Sequence, residues 1–485
     1  MSQRIDPTHL EEARDRLRAF GQEHVLQFWN QLDEAERQSL LRQVASIDLE
    51  SLQKNIDTLV KDEEAAVPVD FEKLRPAPFI AHPQRGGDSA LWEVARERGG
   101  NLLAAGKVAA FTVAGGQGTR LGFDGPKGTF PITPVRGRSL FAVFADKVHF
   151  ASRRYGVSIP WLIMTSPANH EATTGFFEEN DWFGLNSADV FFFPQGELPA
   201  VDFEGRLLLD APGRIVQTPD GHGGSLLALH RSGMTGELKR RGVEIISYFQ
   251  VDNPLVRILD PAFIGFHAGA ASEMSSRMIP KAGPEEKIGM FCVDDSGMRV
   301  VEYSDMPMEF QKARTAEGAL RFGAGSIAIH LIDRRFVERI GAIRSTLLPL
   351  HRADKKIPHL DASGGWFSPN EPNGVKFETF VFDALPLAGN PLVVETLREN
   401  EFSPVKNATG ADSAQSCLRD QLRQFARWMT LVGVEIPLDD AGTPAFPFEI
   451  SPRFAVDESS FVEAWQSLPH SPKVAPGVVI EPPPS

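Results

Sequence analysis

The chain is 485 residues long, 42% hydrophobic and 24% charged, with a net charge of −14, which allows two or three domains and a large core. The acidic balance disfavours nucleic acid as a partner, because gripping a polyanion needs a basic face. Two cysteines, Cys292 and Cys417, make neither a disulfide framework nor a zinc-ligand spacing, so a reducing cytoplasm is the expected compartment; no run of about 18 apolar residues is present, so no membrane span is expected.

The first residues, Met1 to Pro7, are polar and lack the apolar core of a signal peptide. Leu10, Ala13, Leu17 and Phe20 then recur at spacings of three and four, which predicts a helix with Pro7 in its first turn. Asp33 and Glu36 have the spacing of a capping box ahead of Leu40, Leu41 and Val44, and Leu52, Ile56 and Leu59 continue the helical pattern. A polar, proline-bearing stretch runs from Lys61 to Gly87, and residues 1–100 are read as a mostly helical N-terminal region.

From residue 101 to 398, short apolar strands alternate with helical patterns. Predicted strands are Val108–Val113, Ile159–Thr165, Asp189–Pro194, Glu244–Val251, Ser326–Ile332 and Thr379–Phe382. Predicted helices are Leu140–Arg154, His170–Glu179, Ser225–Arg241 and Pro261–Ala271. Such alternation argues for an α/β domain with a largely parallel sheet, whose ligands bind outside the carboxyl ends of the strands. Residues 399–485, richer in proline and turn residues, are read as a small C-terminal domain with β character, closing on the loose tail Pro482-Pro-Pro-Ser485. No internal repeat is visible, and the sequence leaves the oligomeric state open.

The most informative stretch follows the first predicted strand. Val113-Ala-Gly-Gly-Gln-Gly-Thr-Arg-Leu-Gly-Phe-Asp-Gly-Pro-Lys127 holds five glycines in fifteen residues, with Arg120 and Lys127 as counter-charges. Glycines let backbone N–H groups close on anionic oxygens, so the pattern points to a bound triphosphate. A dinucleotide fingerprint would need its third glycine at Leu121, and no lysine follows a glycine at P-loop spacing.

The run instead resembles the G-G-x-G-T-R-L-G-x-x-x-P-K signature of the sugar-nucleotide pyrophosphorylases, most closely the UDP-N-acetylhexosamine branch of the UTP-dependent uridylyltransferases. The resemblance extends in motif order to about residue 455. It implies a Rossmann-like, GT-A-like nucleotidyltransferase domain and a reaction in which a sugar 1-phosphate attacks UTP, giving a UDP-sugar and pyrophosphate. Val113, Ala114, Gly115 and Gly116 would line the nucleotide. Phe193-Pro-Gln-Gly-Glu-Leu-Pro-Ala200 matches a family segment whose glutamine meets the uracil edge, implying that role for Gln195; an amide offers both donor and acceptor to such an edge. Thr218-Pro-Asp-Gly-His-Gly-Gly224 matches P-D-G-N-G-G, with Gly221 closing on the base. Gln250-Val-Asp-Asn253 matches C-V-D-N, and a carboxylate after a strand beside a triphosphate suits Asp252 to hold Mg²⁺. Pro372-Asn-Gly-Val-Lys376 implies Lys376 on the nucleotide phosphates, and Glu401-Phe-Ser-Pro-Val-Lys-Asn407 implies Lys406 on the sugar phosphate. Glu302 and Tyr303 of Val301-Glu-Tyr-Ser304 would face the sugar, with Ser326 of Gly323-Ala-Gly-Ser326 and His222 beside them.

Arg120, Lys127 and Lys406 are the expected catalytic cations. Two polyanions must meet, and an opposite charge at about 4 Å contributes about 4 kcal/mol at an effective dielectric near 20. Positioning and charge neutralisation therefore carry such a reaction, and an anionic phosphate oxygen needs no general base. Three positions depart from the N-acetylhexosamine pattern: His222 and Ser326 stand where the family has asparagines, and Ser275 where it has a glycine. His222 gives the G-H-G found in UDP-glucose pyrophosphorylases, so a UDP-glucose or broad UDP-sugar enzyme is the alternative, and a nucleotide-binding regulatory protein without catalysis is the second.

Overall fold

The computed structural model describes residues 7–61, 70–343 and 348–483. The readings on residues 1–6, part of the Lys61–Gly87 stretch and the last two residues of the tail lie outside them. The chain forms two compact units, neither continuous in sequence: one comprises Met1–Asp70, Gly196–Gly224 and Thr346–Asp383, the other Phe71–Gln195, Ser225–Ser345 and Ala384–Ser485. The sequence pattern, by contrast, divides the chain into the consecutive segments 1–100, 101–398 and 399–485.

The first unit is built on the N-terminal helices. Pro7–Ala19 starts at its proline, and Glu34–Ser46 opens with the expected capping box, the Asp33 carboxylate accepting from the Glu36 N–H while Glu36 reaches back to the Asp33 N–H. Leu17, Leu40, Val44 and Ile56 bury against Val201, Leu209, Val375 and Phe377. The last four come from a three-stranded sheet, His351–Lys355, Gly374–Glu378 and Val201–Asp202, and from the Leu209–Ala211 hairpin beside it. The predicted strand Thr379–Phe382 is corrected here. The strand is Gly374–Glu378, and Val381–Leu387 is a 3₁₀ helix. The chain leaves the ladder at Thr379, whose N–H and hydroxyl both donate to the Asp220 carbonyl at 2.8 Å.

The second unit carries a ten-stranded mixed sheet. Its strands are Arg75–Pro76 and β1 (Val108–Val113), β2 (Trp161–Thr165), β3 (Val190–Pro194), β4 (Ile245–Gln250), β5 (Met274–Pro280), β6 (Met290–Asp294), β7 (Gly297–Val301), β8 (Ala324–Asp333) and β9 (Leu392–Glu395). The main path runs Arg75–Pro76, β6, β8, β4, β1, β2, β3. Strands β4, β1, β2 and β3 are mutually parallel, as the alternating pattern required, and β8 pairs antiparallel with β4. Every residue of β1 and β2 is buried, which is why both read as unbroken apolar runs. Leu140–Tyr155 and Pro261–Gly269 pack on this sheet through Phe141, Phe144, Phe263 and Ile264. The predicted helix Ser225–Arg241 is two, Gly224–Arg231 and Met234–Arg240, parted at Gly233 with φ +80°.

The C-terminal region is helical rather than β. Ala414–Leu431 and Glu458–Gln466 each begin with a capping box, at Ser413 and Asp457, and bury Phe425, Trp428, Phe461 and Trp465 together. Among its described residues the only strands are the two-residue pair Glu449–Ile450 and Val479–Ile480. Among the described residues no helix is long and apolar enough to cross a membrane.

Candidate active site

The carboxyl ends of β1, β2, β3 and β4 share one edge of the sheet. Because β8 runs antiparallel to β4, its first residues lie at that same edge, and so does the junction of β6 with the end of β7. The glycine loop, Gln195, Asp252, Glu302 and Ser326 therefore fall along one line.

Val113 ends β1, and the Ala114 N–H extends the ladder to the Met164 carbonyl at 2.7 Å. The loop then folds on itself, with the Lys127 N–H donating to the Gly116 carbonyl at 3.0 Å and Gly118 to Gly125 at 2.9 Å. A Cβ on Gly115 would stand 2.5 Å from the Gln195 Oε1, so a side chain there would displace that amide. The Gln195 side-chain amide is thus packed directly against the loop; the residue is buried, and its backbone N–H donates to the Thr165 carbonyl at 2.8 Å. Arg120 sits on the 3₁₀ turn Thr119–Leu121, exposed, and among the described residues its guanidinium has no protein partner. A loop cation left free of carboxylates is available to an anionic ligand.

Asp252 follows β4. Its carboxylate lies 3.6 Å from the Lys127 ammonium, both side chains being mostly buried, and its carbonyl accepts the Val405 N–H at 2.8 Å. The next residue, Asn253, donates to the Glu401 carbonyl at 2.7 Å and accepts the Ser403 N–H at 3.1 Å. These bonds seat the Glu401–Asn407 segment on the Asp252 turn and so bring Lys406 beside it. The Lys406 ammonium stands 6.0 Å from the Phe402 ring centroid. Among the described residues no three His, Cys, Asp or Glu side chains group to hold a metal by themselves. One carboxylate nonetheless fits Mg²⁺, which commonly takes one or two protein carboxylates and completes its shell with substrate phosphates and water.

Glu302 and Ser326 meet around Gly289. The Ser326 N–H donates to the Gly289 carbonyl at 2.8 Å, and a Cβ on Gly289 would stand 2.8 Å from the Glu302 Oε1. Tyr303 is exposed next to them, its carbonyl accepting from Gln311 at 2.9 Å.

The remaining expected residues belong to the first unit. Gly221 has φ +84°, and a Cβ there would come within 2.4 Å of the Thr379 carbonyl oxygen. His222 stacks on Phe380 with ring centroids 5.3 Å apart, and its Nδ1 accepts the Val381 N–H at 3.1 Å. A backbone N–H can only donate, so Nδ1 carries no proton and the neutral ring bears it on Nε2. Burial lowers the His222 pKa to about 4, in keeping with a neutral ring. Lys376 lies on Gly374–Glu378 and pairs with Glu378 at 2.8 Å.

Sequence reading missed the residues that hold this site in shape. The buried Asn169 amide donates to the Ala114 carbonyl at 2.9 Å and the Gly116 carbonyl at 3.4 Å, and accepts the Ser166 N–H at 2.8 Å. Asn253 does the same for the Glu401 segment. Neither lies in a periodic pattern; for Asn253 the only signal was its place in the Gln250–Asn253 motif.

A glycine loop on the first parallel strand, a free arginine, and a carboxylate and lysines at the same sheet edge define a nucleotidyltransferase. The match to the model of the UTP–glucose-1-phosphate uridylyltransferase family over residues 59–421 makes the assignment specific. The chain belongs to that family, and its relatives place it in the UDP-N-acetylglucosamine pyrophosphorylase branch of these uridylyltransferases. It is 36% identical to the human UDP-N-acetylhexosamine pyrophosphorylase-like protein 1, over 91% of this chain and 92% of that one. It is 31% identical to the Arabidopsis thaliana UDP-N-acetylglucosamine diphosphorylase 2, over 89% and 88%. Its fold matches the crystal structure of the Trypanosoma brucei uridine diphosphate N-acetylglucosamine pyrophosphorylase in complex with inhibitor, with a TM-score of 0.77, 25% identity, and coverage of 98% and 99%.

Proposed function

We propose that this uridylyltransferase joins UTP to N-acetylglucosamine 1-phosphate in the cytoplasm, with Mg²⁺ as cofactor, releasing pyrophosphate. A phosphate oxygen of the sugar 1-phosphate forms a bond to the α-phosphorus of UTP. The bond from that phosphorus to the bridging oxygen breaks, and pyrophosphate leaves with the electron pair. Arg120 and Lys127 offset the charge of the leaving group, and Lys406 holds the attacking phosphate. Gln195 and the Gly221 turn read the uracil, and Lys376 meets the nucleotide phosphates. Asp252 would hold Mg²⁺, which when bound offsets phosphate charge. Glu302, Tyr303, Ser326 and His222 face the sugar.

The observation that carries this reading is the bond from the Val405 N–H to the Asp252 carbonyl, with Lys127 reaching the same residue's carboxylate. It ties the segment assigned to the sugar phosphate to the residue assigned to the metal. The relatives' names support the N-acetylated sugar. A broader specificity has one observation in its favour. Ser326, whose N–H bonds the Gly289 carbonyl, offers a hydroxyl where an amide would be better suited to a substrate N-acetyl group, and a site with fewer polar partners for a substrate group rejects its analogues less firmly. The test is a panel of sugar 1-phosphates with UTP and Mg²⁺, reading pyrophosphate. The expected result is a higher kcat/KM for N-acetylglucosamine 1-phosphate than for glucose 1-phosphate, with both used. Turnover of glucose 1-phosphate alone would overturn it.

A further inference from the structure

Lys147 lies inside the second unit, on Leu140–Tyr155, and is 8% exposed. Among the described residues it has no carboxylate partner within ion-pair distance. Its ammonium donates to two backbone carbonyls, Pro254 at 2.5 Å and Val256 at 2.7 Å, and stands 5.9 Å from the Phe144 ring centroid. Burying a cation without a direct ion pair is unfavourable even with the Glu401 carboxylate attracting it from further off, and an apolar side chain of similar volume is often as stable or more so. Burial lowers the Lys147 pKa to about 7, which registers that cost. Stability alone is therefore a poor reason for an ammonium at this place.

What the ammonium holds is the turn that carries Asp252. That turn is fixed at its start by the Val251 N–H on the Val113 carbonyl at 3.1 Å, and on another side by the Asn253 amide on the Glu401–Ser403 backbone. Beyond Asn253 it has the bond from the Val256 N–H to the Asn253 carbonyl, at 3.3 Å, and the two bonds from Lys147. Proline at 254 removes one backbone donor that could otherwise have anchored the segment. We infer that Lys147 is a positioning residue for catalysis: from below the sheet edge it clamps the Asp252–Val256 turn and so sets where the Asp252 carboxylate stands relative to Lys127 and Lys406. The inference rests on the assignment of Asp252 to Mg²⁺.

Lys147 also lines a small cavity of about 40 Å³ together with Pro254 and Leu255. Arginine keeps the positive charge and supplies several N–H donors. Methionine keeps the volume and removes both donors.

The experiment compares Lys147→Met, Lys147→Arg and Asp252→Asn, measuring thermal midpoint, kcat, both substrate KM values and the Mg²⁺ concentration for half-maximal rate. Displacing a reacting group by a fraction of an ångström to an ångström costs up to about a hundredfold. Lys147→Met is expected to keep or raise the thermal midpoint while kcat falls about tenfold and the Mg²⁺ half-saturation rises several-fold. Lys147→Arg, which keeps the charge and N–H donors, is expected to lose less of both than the methionine variant. If the methionine variant does not fold, Lys147→Leu, which also lacks a donor, is read the same way. Parental kinetics in the methionine or leucine variant overturn the inference, as does an arginine variant impaired as deeply as the donorless one. If Asp252→Asn leaves the Mg²⁺ dependence untouched, the metal assignment itself falls and the inference with it. If Asp252→Asn alters that dependence and Lys147→Met does not, only the positioning role is lost.

Discussion

Three charged side chains at the sheet edge have separable proposed roles, and their environments say how each should fail. Among the described residues Arg120 is exposed and unpaired, so its removal disturbs no side-chain bond there. Arg120→Ala should therefore fold normally and lose about 10²–10³ in kcat, the usual loss for one preorganised charge. Lys406 is fixed by its segment, the Lys406 N–H bonding the Asp412 carbonyl at 2.6 Å. Lys406→Ala should lower kcat and also raise the KM for the sugar phosphate; a rise confined to the KM for UTP would place it on the wrong substrate. Asp252→Asn keeps shape and removes one charge. Its turnover should fall by a similar factor, and excess chelator should abolish the parent's activity; a parent fully active in chelator would remove the metal from the reaction. Arg120 stood out in the sequence through the glycine spacing and Pro126-Lys127, whereas Asp252 and Lys406 rested on the Gln250–Asn253 and Glu401–Asn407 motifs. Asn169 and Lys147 were not legible, because a buried amide or ammonium bonding backbone carbonyls leaves no periodic trace in the sequence.

At the scale of elements, strands and helices that bury a continuous face were readable. β1 to β4 fall within a residue or two of their expected limits, and Leu140–Tyr155 ends one residue beyond its own. The failures lie where side chains or backbone redirect the chain. Thr379 donates twice to Asp220 and ends a strand the apolar pattern would have continued. The hairpin β6–β7 went unread because its polar turn and mixed burial lack clean alternation. The Asp220–Gly224 turn is the element most exposed to a single substitution. The Gly223 N–H bonds the Thr379 carbonyl at 2.8 Å, and Gly221 combines φ +84° with the close approach to that same oxygen. Gly221→Ala should cost roughly 1 kcal/mol for the left-handed backbone, with a further steric cost from the 2.4 Å contact. Urea denaturation should show the loss of stability. The KM for UTP should rise, because the turn assigned to the base must shift to admit the methyl group; an unchanged KM would detach this turn from the nucleotide.

For the whole molecule, acid stability follows from histidines kept neutral inside the fold. His267 is 2% exposed, with Nδ1 2.8 Å from the Ser275 hydroxyl, and burial lowers its pKa to about 4. His222 is lowered to about 4 by burial as well. His82 and His149 are shifted in the same direction, again mainly by burial. Because each folded-state pKa lies below the free value near 6.5, the unfolded chain takes up protons first as pH falls. The stabilisation from keeping these rings neutral is complete above about pH 6.5 and is lost progressively toward pH 4. His222 and His267 each account for at most about 3 kcal/mol of that loss. Ordinary carboxylates titrate near 4, so the upper part of the window, about pH 6.5 to 5, belongs to the histidines. The thermal midpoint should therefore fall between pH 6.5 and 5 before carboxylate titration begins. His267→Gln, which keeps a polar partner for Ser275 and cannot titrate, should flatten the fall in that interval. A parent whose midpoint is constant from pH 7 to 5, or a variant with the parent's slope, would mean that these rings accept protons without unfolding.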